Sequence, residues 1–134
     1  FFADRALSGE LLTVYEPGTQ ARNFIHVIDV ARVYVQSTER LLAQLESGST
    51  GTETYEIAGE EDMSVMTVAE IVRNAAKEEL GTEIDVDLIE NPRSAETMVE
   101  EFSVDISKAK SVLGWKPNKT VAESVQRLLA RETQ

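Results

Sequence analysis

The chain has 134 residues, with 24 acidic and 13 basic side chains and a formal net charge of −11. This charge argues against a nucleic-acid role, because binding a phosphate backbone relies on clustered basic residues. The absence of cysteine excludes disulfides, cysteine nucleophiles and thiolate metal sites, and the single histidine argues against a zinc site made only of protein ligands. The length predicts one domain, and no apolar run or signal peptide indicates a membrane or secreted protein, so the cytoplasm is the expected location. An acidic surface of this kind suits either plain solubility or adaptation to high salt.

Apolar periodicity and cap residues predict an alternation of short strands and helices. In chain order, the pattern predicts a helix tail at residues 1–8, strands at 11–15 and 23–27, a helix from 29 to about 45, a strand at 54–58, a helix at 64–80, a strand at 83–90, a short helix at 107–113 and a last helix from 121. Asp29 and Ser64 are predicted N-caps, and Gly81 is a predicted C-terminal stop. Thr120 and Glu123 have the spacing of a capping box.

The strand predicted at 83–90 alternates apolar and acidic residues, so Ile84, Val86 and Leu88 are expected to face inward. A polar loop, predicted over 91–101, follows this strand. Together with the strand–helix alternation, the pattern predicts an α/β fold.

The segment 18–31 places a glycine turn, a lone arginine, a short apolar strand and a helix start in succession. Arg22 on such a turn is suited to a bidentate grip on phosphate oxygens, although a surface salt bridge is the common alternative. His26 titrates near neutrality, but within an apolar strand it is expected to be a packed histidine with one hydrogen bond rather than a catalytic group.

This segment resembles the NAD-dependent sugar-nucleotide epimerases and dehydratases, which are extended short-chain dehydrogenases. Members of that family commonly carry a run like G-x-Q-x-R-D-F-[IV]-[HY]-V-x-D-[VL]-A, and Asn23 stands here at the usual aspartate position. Residues 54–59 are similar to the family's Y-N-I-G strand, with Glu56 in place of asparagine.

A second motif strengthens the resemblance. Residues 105–117 are similar to the family's D-x-S-K-A-x-x-x-L-G-[WY]-x-P element, whose role is structural, and Trp115 is expected to bury its ring with its N–H hydrogen-bonded. In all, the resemblance extends from about Phe2 to Leu129.

The resemblance implies a set of substrate-binding residues. Arg22 corresponds to a ligand of the substrate diphosphate, and Arg93 lies in a stretch similar to an R-P-G-D element whose arginine also holds phosphate. Glu96 corresponds to the acid of that element, which binds a ribose hydroxyl. Val14 and Tyr15 lie in a stretch that passes beside the nucleotide base, where Tyr15 either stacks on the base or packs in the core.

The family pattern further implies that residues 1–134 form a small mixed α/β substrate-binding domain, the carboxyl-terminal part of a larger enzyme without its Rossmann half. Neither a G-x-x-G-x-x-G run nor a Tyr-x-x-x-Lys pair occurs in the chain. NAD and the catalytic base are therefore expected in the other half, so this part would hold no catalytic residue, cofactor or metal and would be inactive alone. The parent enzyme is expected to be a homodimer.

The chemistry implied first is that of a UDP-glucose/UDP-galactose 4-epimerase, in which NAD removes and returns a hydride at sugar C4. A dTDP-glucose 4,6-dehydratase is the second candidate. A nucleotide-binding sensor without catalysis and an acidic interaction domain without a ligand remain open from the residues alone. Separation from the other half is expected to expose apolar surface and to favour self-association.

Overall fold

A computed structural model describes residues 1–93, 99, 101 and 103–132. Its elements, in chain order, are α1 (Phe2–Leu7), β1 (Leu12–Tyr15), β2 (Ala21–Asn23), α2 (Val27–Glu46), β3 (Asp62–Ser64), α3 (Val65–Leu80), β4 (Val86–Ile89), a π-helix (Ala109–Leu113) and α4 (Val121–Glu132). The mixed α/β class predicted from the sequence is confirmed.

The strands form two small sheets. Strands β1 and β4 pair in parallel, with Leu12 opposite Val86 and Tyr15 opposite Ile89. Strands β2 and β3 pair antiparallel, with Arg22 opposite Met63. Because parallel strands end at the same edge of a sheet, the residues that follow Tyr15 and Ile89 leave from one side of the molecule.

In the first core, α3 packs against both the β1–β4 sheet and α4. Its buried members are small on α3 and branched on the strands, which lets the helices approach the sheet closely. They include Leu12, Val14, Ala69, Val72 and Leu129. The second core lies under α2 and the π-helix, and its buried members are Val33, Ala58, Ile106, Ala109 and Trp115.

Most predicted helix ends are confirmed. The Ser64 hydroxyl accepts a hydrogen bond from the Thr67 N–H (3.0 Å), and Gly81 ends α3 in the left-handed conformation at φ 66°. At the start of α4, the Glu123 N–H donates to the Thr120 hydroxyl while the Thr120 N–H donates to the Glu123 carboxylate, both at 3.1 Å. These ends follow from contacts within four residues.

Several boundaries differ from the predictions. The second strand is Ala21–Asn23 rather than 23–27, and residues 54–58 have no strand assignment. Asp29 is not the N-cap of α2, because the helix begins at Val27 and His26 caps it. Leu88 was predicted to face inward but is half-exposed, since β4 pairs with one short strand whose outer face is open.

Candidate functional site

The glycine turn before Arg22 is fixed in place by the start of α3. The Gly18 carbonyl accepts from the Met66 N–H (3.1 Å) and the Gln20 carbonyl from the Val65 N–H (3.2 Å). Gly18 has φ 76°, and a Cβ there would lie 3.1 Å from Leu88 and 3.3 Å from Val14. Glycine is therefore needed for both the turn and its packing against β4.

Arg22 is exposed on β2, directly after this turn. Its Nη1 donates to the Ala21 carbonyl (2.8 Å), and among the residues that the structure describes no carboxylate forms a salt bridge with it. By contrast, Arg5, Arg32 and Arg40 each form a salt bridge with an acidic side chain. The surface salt bridge considered for Arg22 is thus not formed within the described part of the chain.

Arg93 follows β4 on the side where β1 also ends. Its N–H donates to the Asn91 side-chain oxygen (2.9 Å), which shapes the start of the loop. Further along, the Val99 carbonyl accepts from the Ala21 N–H (2.7 Å), so the chain returns to the residue before Arg22. The segment that contains Arg93 is therefore tied at one end to β4 and at the other to β2. We call Tyr15, Arg22 and Arg93 the β1–β4 edge: Tyr15 ends β1 and Arg93 follows β4, whereas Arg22 lies on β2, next to the contact between Ala21 and Val99.

The remaining predicted ligand residues lie in different surroundings. The Tyr15 ring is 49% exposed at the end of β1, so it does not pack in the core. The Val14 side chain is buried in the first core, so only its backbone is left for contact with a substrate. Glu96 lies outside the described residues. The assignment of all five residues to a substrate remains a prediction.

Asn23 fixes the chain immediately after Arg22, a role that its sequence position alone does not indicate. Its side-chain N–H₂ donates to the Gly59 carbonyl (2.9 Å) and to Asp62 (2.8 Å), while its oxygen accepts from the Gly59 N–H (2.8 Å). A Cβ at Gly59 would clash with the Phe24 carbonyl oxygen. An ionised aspartate at position 23 accepts but cannot donate, so only an amide makes all three contacts.

His26 and Asp29, at the end of the same motif, have structural contacts. The His26 Nδ1 accepts from the Ile28 N–H (3.1 Å), which confirms one hydrogen bond for this histidine. Asp29 is 1% exposed and accepts from Arg32 (2.7 Å) and from the N–H groups of Asn118 (2.9 Å) and Lys119 (3.0 Å).

The Asp29 backbone also holds the buried tryptophan. The Trp115 Nε1–H donates to the Asp29 carbonyl (2.9 Å), so the prediction of a buried, hydrogen-bonded tryptophan is confirmed. We call Asp29, Arg32, Trp115, Asn118 and Lys119 the Asp29 junction. Burial opposes ionisation of Asp29, but the Asn118 N–H, Arg32 and the Lys119 N–H together lower the pKa of its carboxyl below the ordinary value of 3.8.

An apolar groove of about 320 Å³ separates the β2–α2 connection from α4, with Phe24, His26, Val125 and Leu128 in its walls. None of the predicted ligand residues lines it. Across the described ranges, no cluster of histidine and acidic side chains has the arrangement of a metal site, and no helix is both long and apolar enough to cross a membrane.

A scan against protein-family models gives no match. Among curated proteins, the chain is 34% identical over 128 residues to UDP-glucuronic acid decarboxylase 6 of Arabidopsis thaliana, covering 92% of this chain and 32% of the relative. It is 29% identical over 128 residues to a putative UDP-glucose 4-epimerase of Methanocaldococcus jannaschii, covering 96% and 36%. The chain thus spans about a third of the length of the curated relatives it matches.

Comparison with solved structures agrees with the comparison of sequences. UDP-N-acetylglucosamine 4-epimerase from Bacillus cereus superposes with a TM-score of 0.74 at 19% identity, over 98% of this chain and 38% of that one. The resemblance inferred from the motifs is confirmed: over about a third of their length, the chain is homologous to sugar-nucleotide decarboxylases, dehydratases and epimerases, and its fold matches part of an extended short-chain dehydrogenase.

Proposed function

We propose that this chain supplies the nucleotide-diphosphate-binding part of an NAD-dependent enzyme that acts on a UDP-sugar. The observation that carries the proposal is the exposed guanidinium of Arg22, which forms no salt bridge with a carboxylate among the described residues although the chain has a net charge of −11.

An arginine in this setting is suited to an anion. The acidic surface repels phosphate in general, so binding requires a local cation whose charge is not already neutralised. A guanidinium presents two parallel N–H groups to a phosphate, which gives both attraction and orientation. The turn anchored on α3 and the Asn23–Gly59 contacts hold the backbone on either side of Arg22.

The rest of the β1–β4 edge fits the remaining parts of a nucleotide. Arg93 lies six residues before Val99, whose carbonyl accepts from the Ala21 N–H, next to Arg22. The chain therefore connects a second cation to the region around Arg22. The half-exposed Tyr15 ring at the end of β1 offers a face for the base. Glu96, by the family pattern, would bind a ribose hydroxyl, and Val14 would contribute through its backbone.

Support for the reaction comes from the relatives rather than from this part of the site. UDP-glucose/UDP-galactose 4-epimerase chemistry is the first proposal, in which NAD held elsewhere removes and returns the hydride. The chain's own contribution is to hold the diphosphate so that the sugar is oriented. A UDP-glucuronic acid decarboxylase is also a candidate, and one observation favours it: its identity to this chain is 34%, against 29% for the epimerase. A dTDP-glucose 4,6-dehydratase, at 26%, ranks below both.

Isothermal titration of the chain with UDP, UDP-glucose, UDP-glucuronic acid and dTDP-glucose tests the proposal. We expect UDP to bind nearly as well as the UDP-sugars, because the contacts proposed here are to the diphosphate and base. Arg22→Ala should weaken UDP binding by about tenfold or more, the loss of one charged hydrogen-bonding group.

Arg127→Ala is the matched control, since it removes an equal charge from the exposed side of α4 and should leave the affinity unchanged. Equal losses in the two variants would mean that only net charge matters and would contradict a site at Arg22. We also expect no turnover of UDP-galactose or UDP-glucuronic acid by this chain alone, and any turnover would contradict the assignment of the catalytic groups to another part of the enzyme.

A further inference from the structure

The side chain of Asn23 joins β2 to a part of the chain that lies 36 residues further along. Its amide oxygen accepts from the Gly59 N–H (2.8 Å), and its Nδ2 donates to the Gly59 carbonyl (2.9 Å). One amide thus satisfies both backbone groups of Gly59, as the peptide group of a neighbouring strand would. Nδ2 also donates to the carboxylate of Asp62 (2.8 Å), which is opposite Asn23 in the β2–β3 ladder. These contacts hold the residue that directly follows Arg22.

The segment that Asn23 contacts, residues 59–62, is itself attached to two further elements. The Lys110 ammonium, on the π-helix, donates to the Glu60 carboxylate. The Val121 N–H, at the start of α4, donates to the Glu61 carboxylate (2.7 Å). Because the π-helix belongs to the second core and α4 to the first, the segment is connected to both cores. The amide of β2 is therefore bonded to a fixed part of the fold.

The strand that carries Arg22 needs such support. Strand β2 is three residues long and belongs to a two-stranded sheet whose other member, β3, is equally short. A two-stranded ladder of this size is only marginally stable by itself. A bidentate guanidinium–phosphate contact tolerates little displacement, so binding depends on where the backbone presents the side chain. The placement of the exposed Arg22 side chain therefore depends on how firmly the residues beside it are held.

The contacts at position 23 require a side chain that both donates and accepts. Gly59 presents one donor and one acceptor, whereas the ionised carboxylate of Asp62 only accepts. We propose that Asn23 is a positioning residue for diphosphate binding: by bonding β2 to Gly59 and Asp62, it fixes the backbone from which Arg22 presents its guanidinium. This inference rests on the proposed function and adds to it a residue that acts through Arg22 without touching the ligand.

Isothermal titration with UDP in two backgrounds tests whether Asn23 acts through Arg22. In the wild-type background, Asn23→Ala keeps the net charge and should weaken UDP binding by about tenfold, because the guanidinium is no longer held in place. In the Arg22→Ala background, the same change should weaken the remaining binding by less than about twofold, because no guanidinium is left to position. Equal losses in the two backgrounds, or no loss in the wild-type background, would overturn the positioning role.

An exchange of the amide and the carboxylate across the ladder gives a second test. Asn23→Asp alone places two carboxylates within hydrogen-bonding distance, so it should weaken UDP binding by about tenfold. The double variant N23D/D62N has the net charge of the wild type and again sets a donor against an acceptor, so it should bind UDP within about threefold of the wild type. This exchange also decides the question if Asn23→Ala does not fold.

Asp62→Asn alone distinguishes positioning from a simple effect of charge. It leaves the Asn23 Nδ2 an amide oxygen to donate to, so positioning predicts an affinity within about twofold of the wild type. If charge alone controlled binding, Asp62→Asn would bind UDP more tightly than the wild type, and Asn23→Ala would bind like the wild type. That pattern would overturn the positioning role.

Val33→Ala is the control for stability, because it opens a cavity in the second core, outside β2 and β3, and should leave the affinity for UDP unchanged. Far-UV circular dichroism confirms that each variant is folded. A wild-type chain that does not bind UDP, or binds it no better than Arg22→Ala, would overturn the proposed function and this inference with it. Binding that requires Arg22 but not Asn23 would overturn the positioning role alone.

Discussion

Arg22 of the β1–β4 edge and Asp29 of the Asp29 junction belong to one sequence motif, residues 18–31, yet the two charged side chains have opposite surroundings. Asp29 is buried and accepts three hydrogen bonds, from Arg32, Asn118 and Lys119. Arg22 is exposed and donates to the neighbouring Ala21 carbonyl. The difference indicates that one charge stabilises the fold, whereas the other is available to a ligand.

The largest expected effect is at the aromatic member of the junction. Trp115→Ala removes a fully buried ring and should lower the free energy of unfolding by about 4 kcal/mol, through lost apolar burial and the remaining cavity. Urea denaturation followed by far-UV circular dichroism measures the loss. Trp115→Phe, which keeps a ring but not the N–H, should lose less, and equal losses in the two variants would place the energy in the hydrogen bond to Asp29 instead.

Asp29→Ala should be next in size. It leaves the N–H groups of Asn118 and Lys119 without their acceptor and removes the partner of Arg32, so we expect a loss of about 3 kcal/mol. Chemical denaturation at neutral pH measures the free energy of unfolding. If Asp29→Ala lowers it by less than an ordinary surface substitution does, the junction does not stabilise the fold.

Acid should weaken the same junction more gradually. Because the pKa of Asp29 is lower in the folded than in the unfolded state, its contribution is present above pH 3.8 and is lost as the pH falls through the folded-state pKa. The unfolding free energy of wild-type protein should therefore drop over this range more than that of Asp29→Asn, which carries no titrating group there. Parallel acid-dependence curves for the two proteins would contradict a depressed pKa.

The smallest stability effect should be at Arg22, although its effect on binding should be large. Arg22→Ala is expected to change the unfolding free energy by no more than about 0.5 kcal/mol, since the side chain is exposed. Thermal denaturation of the variant checks this value alongside the UDP titration. A destabilisation comparable to that of Asp29→Ala would remove the distinction between the two regions.

Features that depend on near neighbours were predictable from the sequence. The Ser64 cap, the Gly81 stop and the Thr120–Glu123 box are each completed within a few residues, so the sequence carries the whole interaction. The burial of Trp115 was also expected, but only from the motif around it.

Features that depend on distant partners were not predictable. Asp29 has the residue type and position of an N-cap, but its actual partners are Asn118 and Lys119, far along the chain, so His26 takes the cap instead. Residues 54–58 alternate like a strand but have no pairing strand in the described structure, and a strand requires one. The contact that fixes the backbone beside Arg22 was not predictable either, because Asn23 and Gly59 are distant in sequence and meet only in the folded chain.

The parallel pairing of β1 with β4 also determines when the proposed site forms. Leu12 pairs with Val86, so β1 has no partner until the ribosome has made β4 and the helices between them. At roughly 5–20 residues per second, this delay lasts for seconds, during which α2 and α3 can already form. Tyr15 and Arg22 are therefore synthesised early, but the proposed site should be complete only after β4 and Arg93 have been made.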